Sequence, residues 1–465
     1  MRLSRAEAQE RNRERVLDAA RAEFVERGFR DAKIDTIAQR AELTRGAVYS
    51  NFPGKRALYF AVLADLAERA AAPANPQRGS ERRGALGALA RAWGTSLNHD
   101  AVARMALPGM GDMWILTRHE DAKAMLADPR FELSPNSFMG LPGIPEHCKP
   151  YLRTMSEMNG PEHLRLRKLA SPAFTARRAE GFRPRIEAIV TELLDALPDG
   201  GTVDLMEHFA RPLPMDVICE LVGIPAENRP RWREYGAAVV SGYGPGFLAA
   251  IPGIIEGAIE AVELRRTSPG DDLISQLLRV RDEDGDRFTD AELVTLVWQL
   301  VIAGQTPSNL IVNGLEALLS HPDQLAALRA DPDLVPRAVE ELTRWVGPQL
   351  LTVPRFTTEE VSFGDVAIDK GQPVMTAIVS ANRDPRAYTA PDELDVTRVP
   401  SVGHLGYSHG AHFCLGAAFA RVQTQVALSA VLRRFPDLAL AETPQRTPDG
   451  GTWRLASLVV SGRRG

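Results

Sequence analysis

The stretch Gly403–Arg421, GHLGYSHGAHFCLGAAFAR, sets one cysteine among glycines just before an apolar, alanine-rich run. Gly410 lets the backbone turn tightly before Cys414, and Gly416 allows another surface to approach closely. The alanines and Phe419 that follow predict a buried helix, which places the sulfur at a helix N-terminus, where a thiolate is favoured. A thiolate held by backbone N–H groups suits an axial iron ligand. A lone cysteine would otherwise be interpreted as a structural core residue.

The run Tyr407-x-x-Gly410-x-His412-x-Cys414-x-Gly416 resembles the haem-binding loop of the cytochrome P450 monooxygenases. Tyr407 stands where that family usually has phenylalanine. The resemblance extends over residues 101–465 and implies the P450 fold, mainly α-helical with small β-sheets. It also implies haem b with Cys414 as the iron ligand, O2 as co-substrate, and electrons from NAD(P)H through a ferredoxin and its reductase. Because no flavin or iron–sulfur segment is evident, we expect the reductase to be a separate protein.

Composition favours a globular protein with a sizeable core. The 465 residues are 44% hydrophobic and carry a formal net charge of −5, which argues against a polyanion-coating protein. No run of 18 apolar residues and no basic-then-apolar leader is evident, so we expect a soluble, cytoplasmic protein without a membrane partner. The three cysteines, Cys148, Cys219 and Cys414, are too few and too scattered for a disulfide framework. We interpret Cys148 and Cys219 as structural.

The first 70 residues have the pattern of a separate all-α unit. Apolar positions recur at helical spacing from Arg11 to Arg27, and two short helices follow, TIAQRA and RGAVYSNF. Asp35 and Thr44 are the predicted N-caps of these two helices, and the turn between them lies at Glu42-Leu43. Three helices with a tight turn before the third indicate helix-turn-helix organisation, in which the third helix enters the major groove of DNA.

Residues 10–70 resemble the DNA-binding domain of the Tet repressor family. The matching residues are Ala20 to Phe24, Gly28-Phe29, Ile37-Ala38, Thr44-Arg45-Gly46, Val48-Tyr49, Asn51-Phe52 and Lys55. The resemblance implies that Arg45 and Gly46 face base edges, while Thr44, Tyr49 and Lys55 contact phosphates. A small helical bundle without DNA affinity is the alternative. Residues 71–100 are expected to form a linker and one amphipathic helix, at 85–98, before the P450-like domain of 101–465.

Glu341 and Arg344 lie three residues apart on a predicted helix, where they can pair. On a surface such a pair would contribute well under ~1 kcal/mol. The P450 resemblance implies instead a buried three-charge cluster with Arg398 in PDELDVTR, which would hold the haem loop in place.

Four basic side chains are candidates for binding the haem propionates. His163 and Arg167 follow Gly160-Pro161 four residues apart, so both point to the same side of a predicted helix. Alone they would be interpreted as a solvated helix face. The resemblance groups them with Arg355 and His412 as propionate partners, since two buried carboxylates need cationic donors.

The segment Trp298 to Asn313, WQLVIAGQTPSNLIVN, departs from the family pattern. The family usually has Ala-Gly, one residue, an acid and then Thr-Thr, and the acid and alcohol manage the protons of the oxygen chemistry. The economical alignment places Gln305 at the acid and Thr306 at the alcohol. Because glutamine cannot ionise, we expect proton delivery to use Thr306, Ser308, ordered water or a substrate hydroxyl. Pro307 is expected to bend the helix.

Two surfaces follow from the resemblance. A basic face made by Arg165, Arg167, Lys168 and Arg421 is expected to receive an acidic ferredoxin. The substrate pocket is expected to be apolar and lined by Phe138–Met158, Ser241–Gly253, Leu350–Val353 and the strand near Leu458, with Met139, Met155, Tyr243, Phe247 and Leu351 among its side chains.

Three hypotheses on function remain at this point. The first is a monooxygenase that oxidises a hydrophobic small molecule, a secondary-metabolite intermediate. The second is a haem-containing, ligand-responsive transcription regulator that binds operator DNA. The third is a fusion whose N-terminal domain is inert or only extends the enzyme. No pair of dimerisation helices is evident, so we expect a monomer or a weak dimer.

Overall fold

The computed structural model describes residues 12–13, 15–23, 32–51, 55, 58, 62, 102–107, 111–134, 137, 144–198, 200–240, 245–280, 285–399, 401–447, 452 and 454–463. The chain divides into two compact units, Met1–Asp100 and Ala101–Gly465. The predicted linker at 71–83 and the helix at 85–98 lie outside the described residues, as do Phe24, Gly28, Phe29 and Phe52.

The N-terminal unit is helical where it is described. A helical segment at 15–23 precedes α1 (Ile34–Arg40) and α2 (Arg45–Asn51). Glu42 adopts a positive φ of 51° in the turn between α1 and α2. The small core of this unit consists of apolar residues from all of these segments, among them Val16, Ala20, Ile37, Val48 and Leu58.

One cap prediction in this unit is confirmed and one is wrong. Thr44 accepts a hydrogen bond from the Ala47 amide at 3.2 Å, which is N-cap geometry. Asp35 does not cap α1, because the helix begins at Ile34 and its N-cap, Lys33, makes no side-chain cap bond. The Asp35 carboxylate lies 3.2 Å from the Arg45 guanidinium instead.

The larger unit is dominated by helices. In chain order they are α3 (His119–Ala127), α4 (Gly160–Ala170), α5 (Ala176–Asp195), α6 (Pro212–Val222), α7 (Arg229–Val240), α8 (Pro245–Thr267), α9 (Leu273–Arg279), α10 (Asp290–Ala303), α11 (Thr306–Ser320), α12 (Pro322–Ala330), α13 (Val335–Val346), α14 (Ile378–Ala381) and α15 (Ala417–Arg434). Short 3-10 turns join several of them, including Glu146–Tyr151 and Gly410–His412.

The strands are short and form small sheets. They are β1 (Val102–Leu107), β2 (Gly111–Leu116), β3 (Phe131–Glu132), β4 (Thr202–Asp204), β5 (Arg355–Thr357), β6 (Val361–Phe363), β7 (Val366–Ile368), β8 (Pro373–Thr376), β9 (Ala439–Leu440), β10 (Gln445–Thr447), β11 (Arg454–Ser457) and β12 (Val459–Ser461). The largest sheet has the order β1-β2-β8-β5-β3, and only its β2–β8 pair is parallel. β4, β12 and β9 form a second, antiparallel sheet. The predicted fold class, mainly helical with small sheets, is confirmed.

The helix after the cysteine is anchored in the main apolar core. On α15, Phe419 is 8% exposed and meets Phe174 and Phe182 edge-on, with ring centroids 5.9 Å apart in both pairs. Aromatic pairs in this geometry add to the stabilisation from area burial alone. The loop that carries the cysteine is therefore supported from one side by α5 and its neighbours. Within the described part of the chain, no helix is both long and apolar enough to span a lipid bilayer.

Candidate functional site

The cysteine loop is shaped by one glycine that no other residue could replace without strain. Gly410 has a φ of +72°, and a Cβ added there would lie 2.6 Å from the carbonyl oxygen of Leu126 at the end of α3. The close approach of another surface at Gly416 stays a prediction. A Cβ at Gly416 would meet no heavy atom of the described residues within 4 Å, and the residue is the N-cap of α15.

Cys414 occupies the predicted position ahead of α15. Its amide donates to the Tyr407 carbonyl oxygen at 2.9 Å, which closes the loop. The residue is exposed, yet packing around it displaces enough water to raise the pKa of the thiol. Backbone hydrogen bonds from Gly416 and Ala417 and the charge of Arg167 act in the opposite direction and favour the thiolate. These are the groups that would stabilise sulfur as a metal ligand.

The structure brings the four candidate propionate partners, His163, Arg167, Arg355 and His412, close to one another. The rings of His163 and His412 are stacked, with centroids 4.1 Å apart. Burial, followed by the neighbouring His163, Arg355 and Arg167, lowers the pKa of His412 to about 3. Burial and the same arginines lower the pKa of His163. Both imidazoles are therefore neutral near pH 7, and each can donate one N–H.

Arg355 gives this group its clearest chemical signature. The side chain is 5% exposed, and its Nη1 donates to the Leu126 carbonyl oxygen at 3.0 Å. Burial lowers its pKa to about 10. Among the residues that the structure describes, no carboxylate lies within ion-pair distance of this guanidinium. A buried, unpaired guanidinium is costly, so the site is complementary to an anionic group such as a haem propionate. The donor set thus fits haem.

The predicted charge cluster is assembled in the core. Glu341 and Arg344 are each 3% exposed and form a bidentate pair at 2.7 Å, and Arg398 Nε reaches the same carboxylate at 3.0 Å. Arg344 also donates to the carbonyl oxygens of Asn382 and Pro391. The cluster therefore ties α13 to the segment that leads into the cysteine loop.

A second network beside it was not expected from sequence. The Arg421 guanidinium makes two bonds, of 2.6 and 2.9 Å, to the Glu340 carboxylate, which His404 Nε2 also contacts at 3.2 Å. Burial alone would raise the pKa of Glu340, but the hydrogen bonds from His404 and Arg421 outweigh it and lower the pKa to about 2. The Arg421 guanidinium lies 4.5 Å from the centre of the Tyr407 ring. An aromatic residue at 407 thus supports this arginine through a cation–π contact.

The helix expected to bend at Pro307 is interrupted just before it. α10 ends at Ala303, Gly304 and Gln305 form a turn, and α11 begins at Thr306 with Pro307 in its first turn. A proline in the first turn needs no N–H partner, which explains why the break precedes it. The Thr306 hydroxyl donates to the Ala303 carbonyl oxygen at 3.0 Å, across the break.

Gln305 and Ser308 are buried beside this interruption. Gln305 Nε2 donates weakly to the Val301 carbonyl oxygen at 3.4 Å, while its Oε1 has no hydrogen-bond partner among the described residues. That oxygen lies near Gly236 of α7, 3.1 Å from where a Cβ would stand. The Ser308 hydroxyl donates to the Gln305 carbonyl oxygen at 2.7 Å. The break thus gathers the polar side chains of Gln305, Thr306 and Ser308 at the junction of the two helices.

The predicted basic face is partly neutralised. Arg165 is held by Asp286 at 2.6 Å and by Glu292 at 2.7 Å, and Arg421 is paired with Glu340. Arg167 points toward the cysteine loop and donates to the Phe413 carbonyl oxygen. Other basic residues, Lys123 and Arg337, line a surface cleft with Phe413 and Arg421.

The predicted pocket residues fall into two groups. Met155, Phe247 and Leu458 belong to the main apolar core, and Leu351 is buried with 5% of its surface exposed. Phe138, Met139 and Tyr243 lie outside the described residues.

The candidate DNA contacts lie close together around the start of α2. Thr44, Arg45, Gly46 and Tyr49 are exposed, and the Arg45 guanidinium stands 5.6 Å from the centre of the Tyr49 ring. Lys55 Nζ instead donates to the Ala32 carbonyl oxygen at 3.0 Å.

Comparison with known proteins agrees with these features. Residues 254–458 match the family model described as cytochrome P450, and residues 16–62 match that of bacterial regulatory proteins of the tetR family. Cytochrome P450 107B1 of Saccharopolyspora erythraea is 41% identical over 376 residues, covering 78% of this chain and 91% of that protein. The 6-deoxyerythronolide B hydroxylase of the same organism is 42% identical, covering 75% of this chain and 88% of that protein.

A solved structure shows the same fold. The bacillaene polyketide synthase cytochrome P450 PksS of Bacillus subtilis superposes with a TM-score of 0.74 at 32% identity, covering 81% of this chain and 97% of that one. The segment that matches the tetR family lies in the N-terminal unit, and the similarity to the hydroxylases extends over most of the chain. With the cysteine loop and its basic surroundings in place, the chain belongs to the cytochrome P450 family and is a P450 monooxygenase that carries a TetR-type helix-turn-helix domain at its N-terminal end.

Proposed function

We propose that the larger unit oxidises a hydrophobic small molecule, an intermediate of secondary metabolism, with O2 and with electrons from NAD(P)H supplied by a ferredoxin and its reductase. The observation that carries this proposal is Cys414 in the loop before α15, within reach of the charge of Arg167. Arg167 in turn lies near His412 and the unpaired, buried Arg355. The substrate class is supported by the names of two similar proteins, a 6-deoxyerythronolide B hydroxylase and a P450 of a polyketide synthase.

In this proposal each residue of the site has one task. Cys414 would ligate the haem iron, while His163, Arg167, Arg355 and His412 would bind its propionates by charge-assisted hydrogen bonds. Thiolate-ligated haem supplies the oxygen-activating chemistry when bound. The Glu341–Arg344–Arg398 cluster would hold the cysteine loop in place without touching the haem.

Proton handling would fall to the interrupted helix. The Thr306 hydroxyl donates its hydrogen to the Ala303 carbonyl oxygen, so the hydroxyl oxygen can still accept a hydrogen bond. The unpaired Oε1 of Gln305 can also accept from water, but the amide cannot ionise. Thr306 is therefore proposed as the residue that positions the proton donor, with Ser308 and Gln305 orienting water around it.

Electron entry is proposed at the cleft that Lys123, Arg337 and Phe413 line. Lys123 is exposed, and Phe413 is 39% exposed next to Cys414 in the chain. Since Arg165 and Arg421 are already paired with carboxylates, Lys123 and Arg337 are the better candidates to attract an acidic ferredoxin.

The carbon monoxide difference spectrum of the dithionite-reduced protein tests the haem assignment. A band at about 450 nm is expected for a thiolate-ligated haem. Cys414→Ala should abolish it, whereas the matched control Cys219→Ser should retain it. A wild-type protein without this band, or a Cys414→Ala variant that keeps it, would refute the assignment.

The ratio of product formed to O2 consumed tests the proton assignment. Thr306→Ala should lower that ratio, because alanine lacks the hydroxyl oxygen that would position the proton donor. Ser308→Ala removes a hydroxyl bonded to the turn of the same helix interruption and should lower it less. If the wild type and Thr306→Ala formed the same amount of product per O2 consumed, a group other than Thr306 would position the proton donor.

A second function is favoured by the N-terminal unit, which we propose binds operator DNA. Arg45 and Tyr49 stand exposed on α2, the helix that would enter the major groove, and residues 16–62 match the tetR family. Gel-shift titration of the full chain with DNA from its own upstream region should show binding that weakens steeply with salt. Arg45→Ala should weaken it, while Arg15→Ala, in the helical segment 15–23, should change it less. Binding that is equally weak for all DNA sequences would rule out an operator.

A further inference from the structure

Three side chains of different chemistry converge away from the cysteine loop. His147 and Cys148 lie on the 3-10 turn Glu146–Tyr151, and Glu256 lies on α8. One ligand atom from each, an imidazole nitrogen, the thiol sulfur and a carboxylate oxygen, falls within 4.8 Å of the other two. The His147 Nε2 and Glu256 Oε1 atoms are already 3.0 Å apart. None of these residues takes part in the haem site or the helix interruption.

We propose that His147, Cys148 and Glu256 form a binding site for Zn2+. Zinc takes nitrogen, thiolate and carboxylate ligands at about 2.0–2.3 Å, which places neighbouring ligand atoms about 3.3–3.6 Å apart in a tetrahedron. The His147 and Glu256 atoms, 3.0 Å apart, are already near that separation. Since no two of the three atoms are more than 4.8 Å apart, the sulfur has to move by at most about 1.5 Å to complete it. Water would complete the tetrahedron. Because one ligand is a thiolate, the site would disfavour Mg2+ and Ca2+, which prefer oxygen.

Access and protonation are both compatible with metal entry. The side chains of His147 and Glu256 are 57% and 52% exposed, so a hydrated cation can reach them from solvent. Cys148 is fully buried behind them and is a free thiol. Coordination would release the thiol proton to solvent and leave the thiolate as the innermost ligand.

The location gives the metal a structural consequence. The 3-10 turn is held on α10 because the Tyr151 carbonyl oxygen accepts from Thr295 Oγ1 at 3.1 Å and from Trp298 Nε1 at 2.7 Å. A cation shared with Glu256 would therefore join α8 to the helix that leads into the interruption at Gly304-Gln305. Zinc would restrict relative movement of these two helices.

Elemental analysis of the full-length haem-loaded protein tests the proposal. The protein is stripped with a chelator, titrated with ZnCl2 alone in a non-chelating buffer, and freed of unbound metal before zinc per chain is measured. We expect a zinc-binding step that His147→Ala and Glu256→Gln each weaken by at least about tenfold, since even indirect partners of metal sites contribute that much. Mg2+ and Ca2+ in excess should not displace the zinc.

Matched variants separate this site from adventitious binding. Glu146→Gln alters a carboxylate on the same turn that is paired with Lys149, and Cys219→Ser alters another buried thiol. Both should leave the zinc affinity unchanged. Cys148→Ser should reduce it, and because His147 and Glu256 are exposed, their variants remain informative even if the serine variant fails to fold. The proposal would be overturned if the wild type retained no zinc, or if His147→Ala and Glu256→Gln both bound zinc as tightly as the wild type.

Discussion

Two adjacent glutamates on α13, Glu341 in the buried charge cluster and the half-buried Glu340, allow the energetic importance of the cluster to be tested. Glu341→Gln removes a carboxylate whose side chain is 2% exposed and which compensates two guanidinium groups, those of Arg344 and Arg398. Breaking a buried ion pair by removing one partner costs about 3–5 kcal/mol. The variant would keep the shape of the residue, so the loss comes from the charge and not from a cavity.

Glu340→Gln is the matched control, one residue earlier on the same helix. The pKa of Glu340 is lowered to about 2 from 4.5, which corresponds to at most ~3 kcal/mol of stabilisation. Its side chain is 35% exposed, so screening by solvent reduces that to about 1–2 kcal/mol. The Glu341 variant should therefore lose at least ~1 kcal/mol more free energy of unfolding than the Glu340 variant.

Urea unfolding of the haem-loaded full chain, followed by Soret absorbance, measures both losses in the larger unit. Arg344→Lys should also be costly, since lysine keeps the charge but cannot reach Glu341 and two backbone carbonyls together. The reasoning is refuted if Glu341→Gln unfolds at the same urea concentration as the wild type, or if Glu340→Gln is the less stable of the two.

Three further predictions concern other parts of the chain. The stability difference between the wild type and Glu340→Gln should reach its full value above about pH 4.5 and shrink as the pH falls toward 2, because the pKa of Glu340 is lower in the folded state. Urea midpoints at pH 6 and pH 3 check this, and an unchanged difference between the two variants would contradict it. Arg355→Met should speed haem loss to a scavenging globin about 10–100-fold, because a charged hydrogen bond to the haem is lost. Arg337→Met, which alters an exposed arginine, is the control, and equal rates of haem loss for the two variants would refute the prediction. Thr44→Ala should destabilise α2 by ~1 kcal/mol, seen as faster exchange of the Ala47 amide, and unchanged exchange would show that the cap is unimportant.

Local sequence was enough to predict the start of α15, while the fold class followed from the resemblance to the P450 family. The glycines around Cys414 and the alanine-rich run after it determine a turn followed by a buried helix with little help from the rest of the chain. The cap at Thr44 is equally local, since it depends on residues within one helical turn. The predicted cap at Asp35 is wrong because the helix begins one residue earlier, at Ile34, which places Asp35 within the first turn. Its carboxylate pairs with Arg45 instead.

Contacts between distant segments were beyond such reasoning. Nothing near His163 in the chain indicates that its ring stacks on that of His412, because α4 and the cysteine loop meet only through the packing of the whole unit. The same holds for Glu340, whose partners His404 and Arg421 come from separate segments. Arg165 was predicted to be a free surface charge, but its carboxylate partners lie beyond α9 in the chain.

The carbonyl oxygen of Leu126 serves two parts of the site at once. Gly410 passes so close to it that no side chain fits, and Arg355 donates a hydrogen bond to it. The position of the Cys414 loop relative to the Arg355 guanidinium thus depends on a single backbone oxygen at the end of α3. A substitution that displaces this end of α3 would move the Cys414 loop and the Arg355 side chain together. Mutations in α3 should therefore change haem affinity and the geometry of the loop at the same time, even where they contact neither.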